Sequence, residues 1–132
     1  AAKSRKPVWA GFSTRLSDTG LVLSFMEEDD IPFENIASIV KDFNIDVAGI
    51  MHTDVNAVSE SLKVLKTFFD GPLMVYPDSG GWVSPNWDFD RVIQPKQFRS
   101  FAEKWRDEGV NIIGGCCGLS PNHIKEITQL KL

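Results

Sequence analysis

Cysteine and histidine are both scarce in this chain, two of each in 132 residues. Two cysteines cannot build the disulfide framework that staples small secreted domains, so a reducing compartment, the cytoplasm, is the expected setting. No apolar run approaches the roughly 20 residues that cross a bilayer, and the first residues lack the apolar core of a secretory leader, so no membrane partner is expected. Positive charge is not in excess either. Lys and Arg number 14 against 18 Asp and Glu, a net charge of −4 that argues against a nucleic-acid partner. The one dense basic group, Lys3, Arg5 and Lys6, sits at a terminus and reads as a solvated tail. No low-complexity tract or linker interrupts the chain. What is there, 42% hydrophobic residues, suits one domain over 1–132 that can bury a core.

The scarce cysteines are adjacent, in Gly114-Gly115-Cys116-Cys117-Gly118-Leu119-Ser120-Pro121. Val110, Ile112 and Ile113 upstream read as a short buried strand, and Ser120 and Pro121 as the N-cap and first position of a helix. Both thiols thus lie on a tight strand-to-helix turn, where glycine lets the backbone bend and a ligand approach. Neighbouring cysteines rarely form a relaxed disulfide, because one trans peptide does not supply the Cα separation and torsion required. Two readings remain open: small core residues beside a turn, or two soft ligands for one zinc ion. The second needs a third ligand, and the histidines available are His52 and His123.

The remainder alternates short apolar strands with amphipathic helices. Residues 7–13 read as a strand. A polar stretch follows over 14–30, with a turn at Asp18-Thr19-Gly20 and an acidic run, Glu27 to Asp30, read as a solvated loop. Residues 33–43 read as a helix burying Ile36, Ile39, Val40 and Phe43. A strand over 46–50 leads to a helix over 56–69 that buries Val58, Leu62, Leu65 and Phe69, and Asp70-Gly71-Pro72 stops it. The strand over 73–76 is broken by Pro77, and its exit loop, 78–95, is too long for a plain connector. In that loop Trp82, Trp87 and Phe89 either shape a pocket or pack on the surface. A helix over 95–108 sets Phe98, Phe101, Ala102 and Trp105 on one face, and the last helix, 120–130, turns Ile124, Ile127 and Leu130 inward.

Four strand-then-helix units without polar alternation in the strands predict an α/β fold, a parallel sheet covered by helices. Chemistry in such folds gathers at the C-terminal strand ends. Those ends carry Ser13, then His52, then Tyr76 and Asp78, then Cys116 and Cys117. His52 shares a rim with the cysteines and becomes the expected third ligand. Tyr76 and Asp78 are candidate substrate contacts, with loop fixing as the alternative. His123, one turn inside the last helix, reads as a cap or packing residue.

Gly114 to Gly118 followed by Ser120-Pro121-Asn122-His123-Ile124 resembles the last strand and helix start of the homocysteine S-methyltransferases. Tyr76-Pro77-Asp78-Ser79-Gly80 is similar to that family's Tyr-Pro-Asn-Ser/Ala-Gly, and Pro7 to Ser13 to the strand before both. The resemblance runs over essentially the whole chain. It implies a (β/α)8 barrel, which needs about 250 residues, so these units would be its C-terminal half, strands five to eight. It also implies zinc on His52, Cys116 and Cys117, homocysteine and a methyl donor as substrates, methionine as product, and Ser13, Tyr76 and Asp78 as substrate contacts.

Two positions depart from the family pattern. Met51-His52 replaces Asn-Cys, so an imidazole stands for the third thiolate, and Asp78 replaces an asparagine. Histidine is a sound zinc ligand. With one negative charge fewer, the site is expected to be a stronger Lewis acid holding a weaker nucleophile, while Asp78 adds a negative charge nearby. A half-barrel would expose two strand edges and an apolar inner face of Val8, Val47, Val75 and Ile112 type. Self-association, or pairing with a complementary half-barrel, is therefore expected, and slow or no turnover by the chain alone. The alternative is a non-catalytic zinc- or thiol-binding module descended from the family.

Overall fold

A computed structural model describes residues 6–26, 28–83 and 85–130, without the side chains of Trp82 and Val83. Lys3 and Arg5 of the basic tail, Glu27 of the acidic run and the Trp82 side chain lie outside the described residues. Strand β1 (Trp9–Phe12) runs into a hairpin, β2 (Thr14–Leu16) and β3 (Val22–Ser24), and helix α1 (Phe33–Ala37) continues as a 3-10 segment, Ser38–Asp42. Then come β4 (Val47–Asp54), α2 (Val58–Lys66) and β5 (Leu73–Asp78). A second hairpin, β6 (Gly81–Val83) and β7 (Asn86–Asp88), precedes a 3-10 turn, Phe89–Arg91. The chain closes with α3 (Pro95–Asp107), β8 (Val110–Ile113) and α4 (Pro121–Ile127).

The main sheet has the order β1-β4-β5-β8, every pair parallel. Each strand is added beside the one before it, always in the same direction. Right-handed crossovers then place the helices on one face. Against that face Ala48, Ile50, Leu73, Val75 and Val110 pack with Val58, Leu62 and Leu65 of α2 and with Phe98, Ala102 and Trp105 of α3. The rings of Phe98 and Trp105 meet edge-on at 6.0 Å. Apolar burial of this kind stabilises by about 25 cal/mol per Å².

The other face carries Trp9, Gly11, Val47, Gly49, Met51, Met74 and Tyr76. A Cβ on Gly49 would lie 2.4 Å from Met74 Cγ, and one on Gly11 2.5 Å from Met51 Sδ. Trp9, two residues before Gly11 on the same face, is 55% exposed. Val75 was expected here with Val47 and packs under the helices instead, because the period of two puts it on the face of Leu73.

Several boundaries differ from the sequence expectation. In the first helix the buried residues are Phe33, Ala37 and Val40, while Ile39 and Phe43 are exposed. After five residues the helix tightens to three residues per turn, which rotates the later positions off the expected face. Ile124 is also exposed, since the short α4 turns His123 and Ile127 inward. Strand β4 runs four residues past Ile50, and β5 passes through Pro77 rather than breaking there. Both "loops", 14–30 and 78–95, contain hairpins.

Candidate metal centre

The site begins with an irregularity in β4. Met51 pairs with Tyr76 and Asp54 with Asp78, so His52 and Thr53 together oppose the single residue Pro77. This is a bulge, and proline tolerates the position because the ladder there needs no N–H from it. His52 takes φ 43°, the one non-glycine positive φ among the described residues. For an L-residue that conformation costs about 1 kcal/mol or more. It swings the imidazole out of the strand and over the rim.

The second half of the site is a loop zipped onto the end of β5. Gly114 N donates to Val75 O, Cys116 N to Pro77 O, and Ser79 N to Cys117 O. Gly118 follows at φ 77°, with Ser79 O only 1.9 Å from where a Cβ would stand, so no other residue fits without displacement. Ser120 then starts α4. Its N–H donates to His123 Nδ1, which leaves Nε2–H to donate to Ile93 O at 2.7 Å. His123 is thus a buried capping residue and takes no part in the thiol cluster.

These two pieces bring His52, Cys116 and Cys117 together, with donor atoms all within 4.8 Å of one another. Cys116 Sγ lies 3.8 Å from His52 Nδ1 and 3.8 Å from Cys117 Sγ. Tetrahedral zinc with Zn–S about 2.3 Å and Zn–N about 2.0–2.1 Å requires S···S near 3.8 Å and S···N near 3.6 Å. The two Cys116 separations match such an ion, and a set of two thiols and an imidazole is one that zinc accepts.

Asp78 completes the surroundings, its Oδ2 3.3 Å from His52 Nδ1. Burial pushes the Asp78 carboxyl above its usual range; attraction to His52 works against that, and the nearby Asp54 adds to it. Desolvation likewise pushes the Cys117 thiol up, helped by the Cys116 hydrogen bond and the charges of Cys116 and Asp78. Several groups that become anionic thus crowd one spot, and a cation would relieve all of them.

A cleft of about 1000 Å³ opens beside His52 and Asp78, walled by Arg15, Phe25, Met26 and Trp87. The Phe25 and His52 rings lie 4.9 Å apart. Of the expected contacts, Asp78 lines this cleft. Tyr76 turns to the sheet face, where its hydroxyl donates to Met51 Sδ at 3.1 Å. Ser13 is half-buried before β2, and its neighbour Thr14 forms the wall there. Trp87 belongs to the pocket, whereas Phe89 is 68% exposed. The β2–β3 hairpin was expected as a polar loop; its signal was the Asp18-Thr19-Gly20 turn between Leu16 and Leu21-Val22.

A profile of the homocysteine S-methyltransferase family matches residues 1–130. A selenocysteine methyltransferase of Astragalus bisulcatus is 28% identical over 127 residues, covering 94% of this chain and 36% of that protein. The homocysteine S-methyltransferase YbgG of Bacillus subtilis is 29% identical over 121 residues, covering 90% of this chain and 36% of its own. Among solved structures, the metallated form of the homocysteine methyltransferase MmuM from Escherichia coli superposes with a TM-score of 0.63. That match has 22% identity and covers 93% of this chain and 35% of the other. The chain spans about a third of the length of these relatives.

Proposed function

The chain belongs to the homocysteine S-methyltransferase family, and from that membership we propose that it forms the thiol-activating half of a zinc-dependent methyltransferase acting on homocysteine. The observation that carries the reading is the gathering of His52, Cys116 and Cys117, whose donor atoms lie within 4.8 Å of one another. Three ligands and one open position are the pattern of a catalytic zinc site. Bound there, zinc would supply Lewis acidity that favours the deprotonated form of a substrate thiol.

The chain's own residues orient and shield. Asp78 stands against the imidazole and returns the negative charge that the exchange of a thiolate for histidine removes. The expected deficit of charge at this site is thereby offset. Phe25 and Met26 line the cleft, and their apolar side chains would exclude water from the reacting sulfur. The homocysteine thiolate attacks the methyl carbon in line, the new C–S bond forming as the donor's bond to that carbon breaks. The thiol proton passes to solvent, and methionine and the demethylated donor leave. Homocysteine and an activated methyl donor are thus the small-molecule partners, and a reducing cytoplasm is the setting that suits free thiols.

Four strand-helix units make half of a (β/α)8 barrel. The sheet face around Trp9, Gly11 and Met51 is then an inner barrel face, to be covered by a second copy or a complementary half. Alone, the chain should form methionine slowly or not at all, since a reacting group misplaced by about 1 Å can cost on the order of a hundredfold. A second reading, a non-catalytic zinc- or thiol-binding module, is favoured by His52 standing where the family pattern has cysteine.

X-ray absorption at the zinc edge of the purified, reduced chain tests the site. About one zinc per chain is expected, with sulfur near 2.3 Å and one imidazole nitrogen near 2.0–2.1 Å. A spectrum indifferent to His52→Ala would remove His52 from the ligand set. Zinc retained without methionine formation in any assembly state would favour the second reading.

A further inference from the structure

The residue after His52 carries a hydroxyl that none of the chemistry above uses. Thr53 is completely buried, and its hydrogen bonds can be assigned proton by proton. Ser61 Oγ donates its only proton to Ala57 O at 2.9 Å, so it must accept from Thr14 Oγ1 at 2.7 Å. Thr53 Oγ1 donates to Met51 O at 2.8 Å and accepts Thr14 N–H at 2.9 Å. With both hydroxyl protons spent, the 3.3 Å approach of the two threonine oxygens is a contact only. Two one-way relays result. One runs from the Thr14 amide through Thr53 to Met51, the other from the Thr14 hydroxyl through Ser61 to Ala57.

The first relay encloses His52. A side-chain bond from residue 53 to the carbonyl of residue 51 closes a ring around the residue between, which is the residue held at φ 43°. Strand alternation points the same way. Ala48 and Ile50 face the helices, so a regular strand would send position 52 into that core next. At the bulge Thr53 takes the slot instead, joined through Thr14 to Ser61 of α2, and His52 is turned out to the rim. A threonine satisfies the buried slot because it fills space and also spends its hydroxyl on the carbonyl that the bulge frees.

We infer that Thr53 is the positioning residue for His52: its hydroxyl holds the left-handed bulge that aims the imidazole at Cys116. The orientation itself is a property of the metal-free chain; its consequence for zinc rests on the reading of His52 as a ligand.

Thr53→Val keeps the shape and removes the hydroxyl, whereas Thr53→Ser keeps the hydroxyl. In the metal-free protein, nuclear Overhauser contacts between the His52 and Phe25 rings should be present in wild type and Thr53→Ser and lost in Thr53→Val. Zinc affinity, measured by chelator competition, should fall about ten- to a hundredfold in Thr53→Val and stay within about threefold in Thr53→Ser. A Thr53→Val protein that keeps both ring contacts and affinity overturns the inference. Loss of the ring contacts in Thr53→Val, with zinc binding indifferent to His52→Ala, leaves Thr53 in its role and refutes the ligand reading alone. Should Thr53→Val not fold, wild type decides: a slowly exchanging Thr53 hydroxyl proton close to the His52 amide is required, and rapid exchange of that proton overturns the inference.

Discussion

Position 52 and position 78 depart together from the family pattern, and their side chains stand 3.3 Å apart. If Asp78 supplies the charge that the imidazole lacks, a cysteine at position 52 would set a thiolate against a carboxylate. At 3.3 Å two unit charges repel by about 1 kcal/mol in a water-like medium and about 5 kcal/mol at an effective dielectric of 20. The His52 side chain is 33% exposed and that of Asp78 11%, which places the pair between these limits, at about 2 kcal/mol. That energy corresponds to about thirtyfold in zinc affinity. The cycle should therefore show about thirtyfold coupling: Asp78→Asn is about thirtyfold more favourable to zinc binding on the His52→Cys background than on the wild-type one. On the wild-type background Asp78→Asn should weaken binding, since it withdraws a negative charge from beside the cation. The effect of the same substitution thus depends on its neighbour. Competition against a chromophoric zinc chelator, on reduced protein at neutral pH, measures all four corners of the cycle. Effects of Asp78→Asn that agree on both backgrounds within about 0.5 kcal/mol would refute charge compensation between the two positions.

Two further outcomes follow from the metal-free chain. Burial raises the Asp78 carboxyl above its ordinary value, so the native state keeps that proton at pH values where the unfolded chain, titrating near about 3.9, has lost it. Stability then falls as pH climbs from that value through the raised one, and Asp78→Asn should remove this decline and be the more stable protein at neutral pH. Urea midpoints of both proteins across the acid range, with chelator present, check this; a constant difference at every pH refutes it. Gly118 and Gly20 both hold positive φ, but only Gly118 faces an atom that a Cβ would strike, Ser79 O. Gly118→Ala should cost at least about 2 kcal/mol and disturb the cysteine loop, whereas Gly20→Ala should cost only about 1 kcal/mol. Equal thermal midpoints for the two variants would mean that the loop yields where the contact says it cannot.

The alternation of strands and helices was legible because parallel strands covered by helices appear as unbroken apolar runs, here around Val47 to Ile50 and Leu73 to Val75. The buried faces of α2 and α3 were legible too, since helices of 9 and 13 residues are long enough to show a period of 3.6. In the first helix that period is lost after five residues, and Ile39 and Phe43 come out on the exposed side. Strands of three residues carry too little alternation to be seen, which hid the β2–β3 and β6–β7 hairpins and with them Phe25 and Met26 at the cleft.

By itself the sequence determined the chemistry available and the rim on which it lies: two thiols in a glycine-rich turn, an imidazole and a carboxylate, each at a C-terminal strand end. That much follows from residue type and order along the chain. Which atoms meet was decided only by the tertiary structure. The 3.8 Å approach of His52 to Cys116 depends on a bulge that needs Pro77 of the neighbouring strand opposite it, and on a cysteine loop bonded to Pro77 and Ser79. The 3.3 Å contact of His52 with Asp78 depends on the same register. These are relations between segments far apart in sequence, held by backbone hydrogen bonds that no local pattern of side chains encodes.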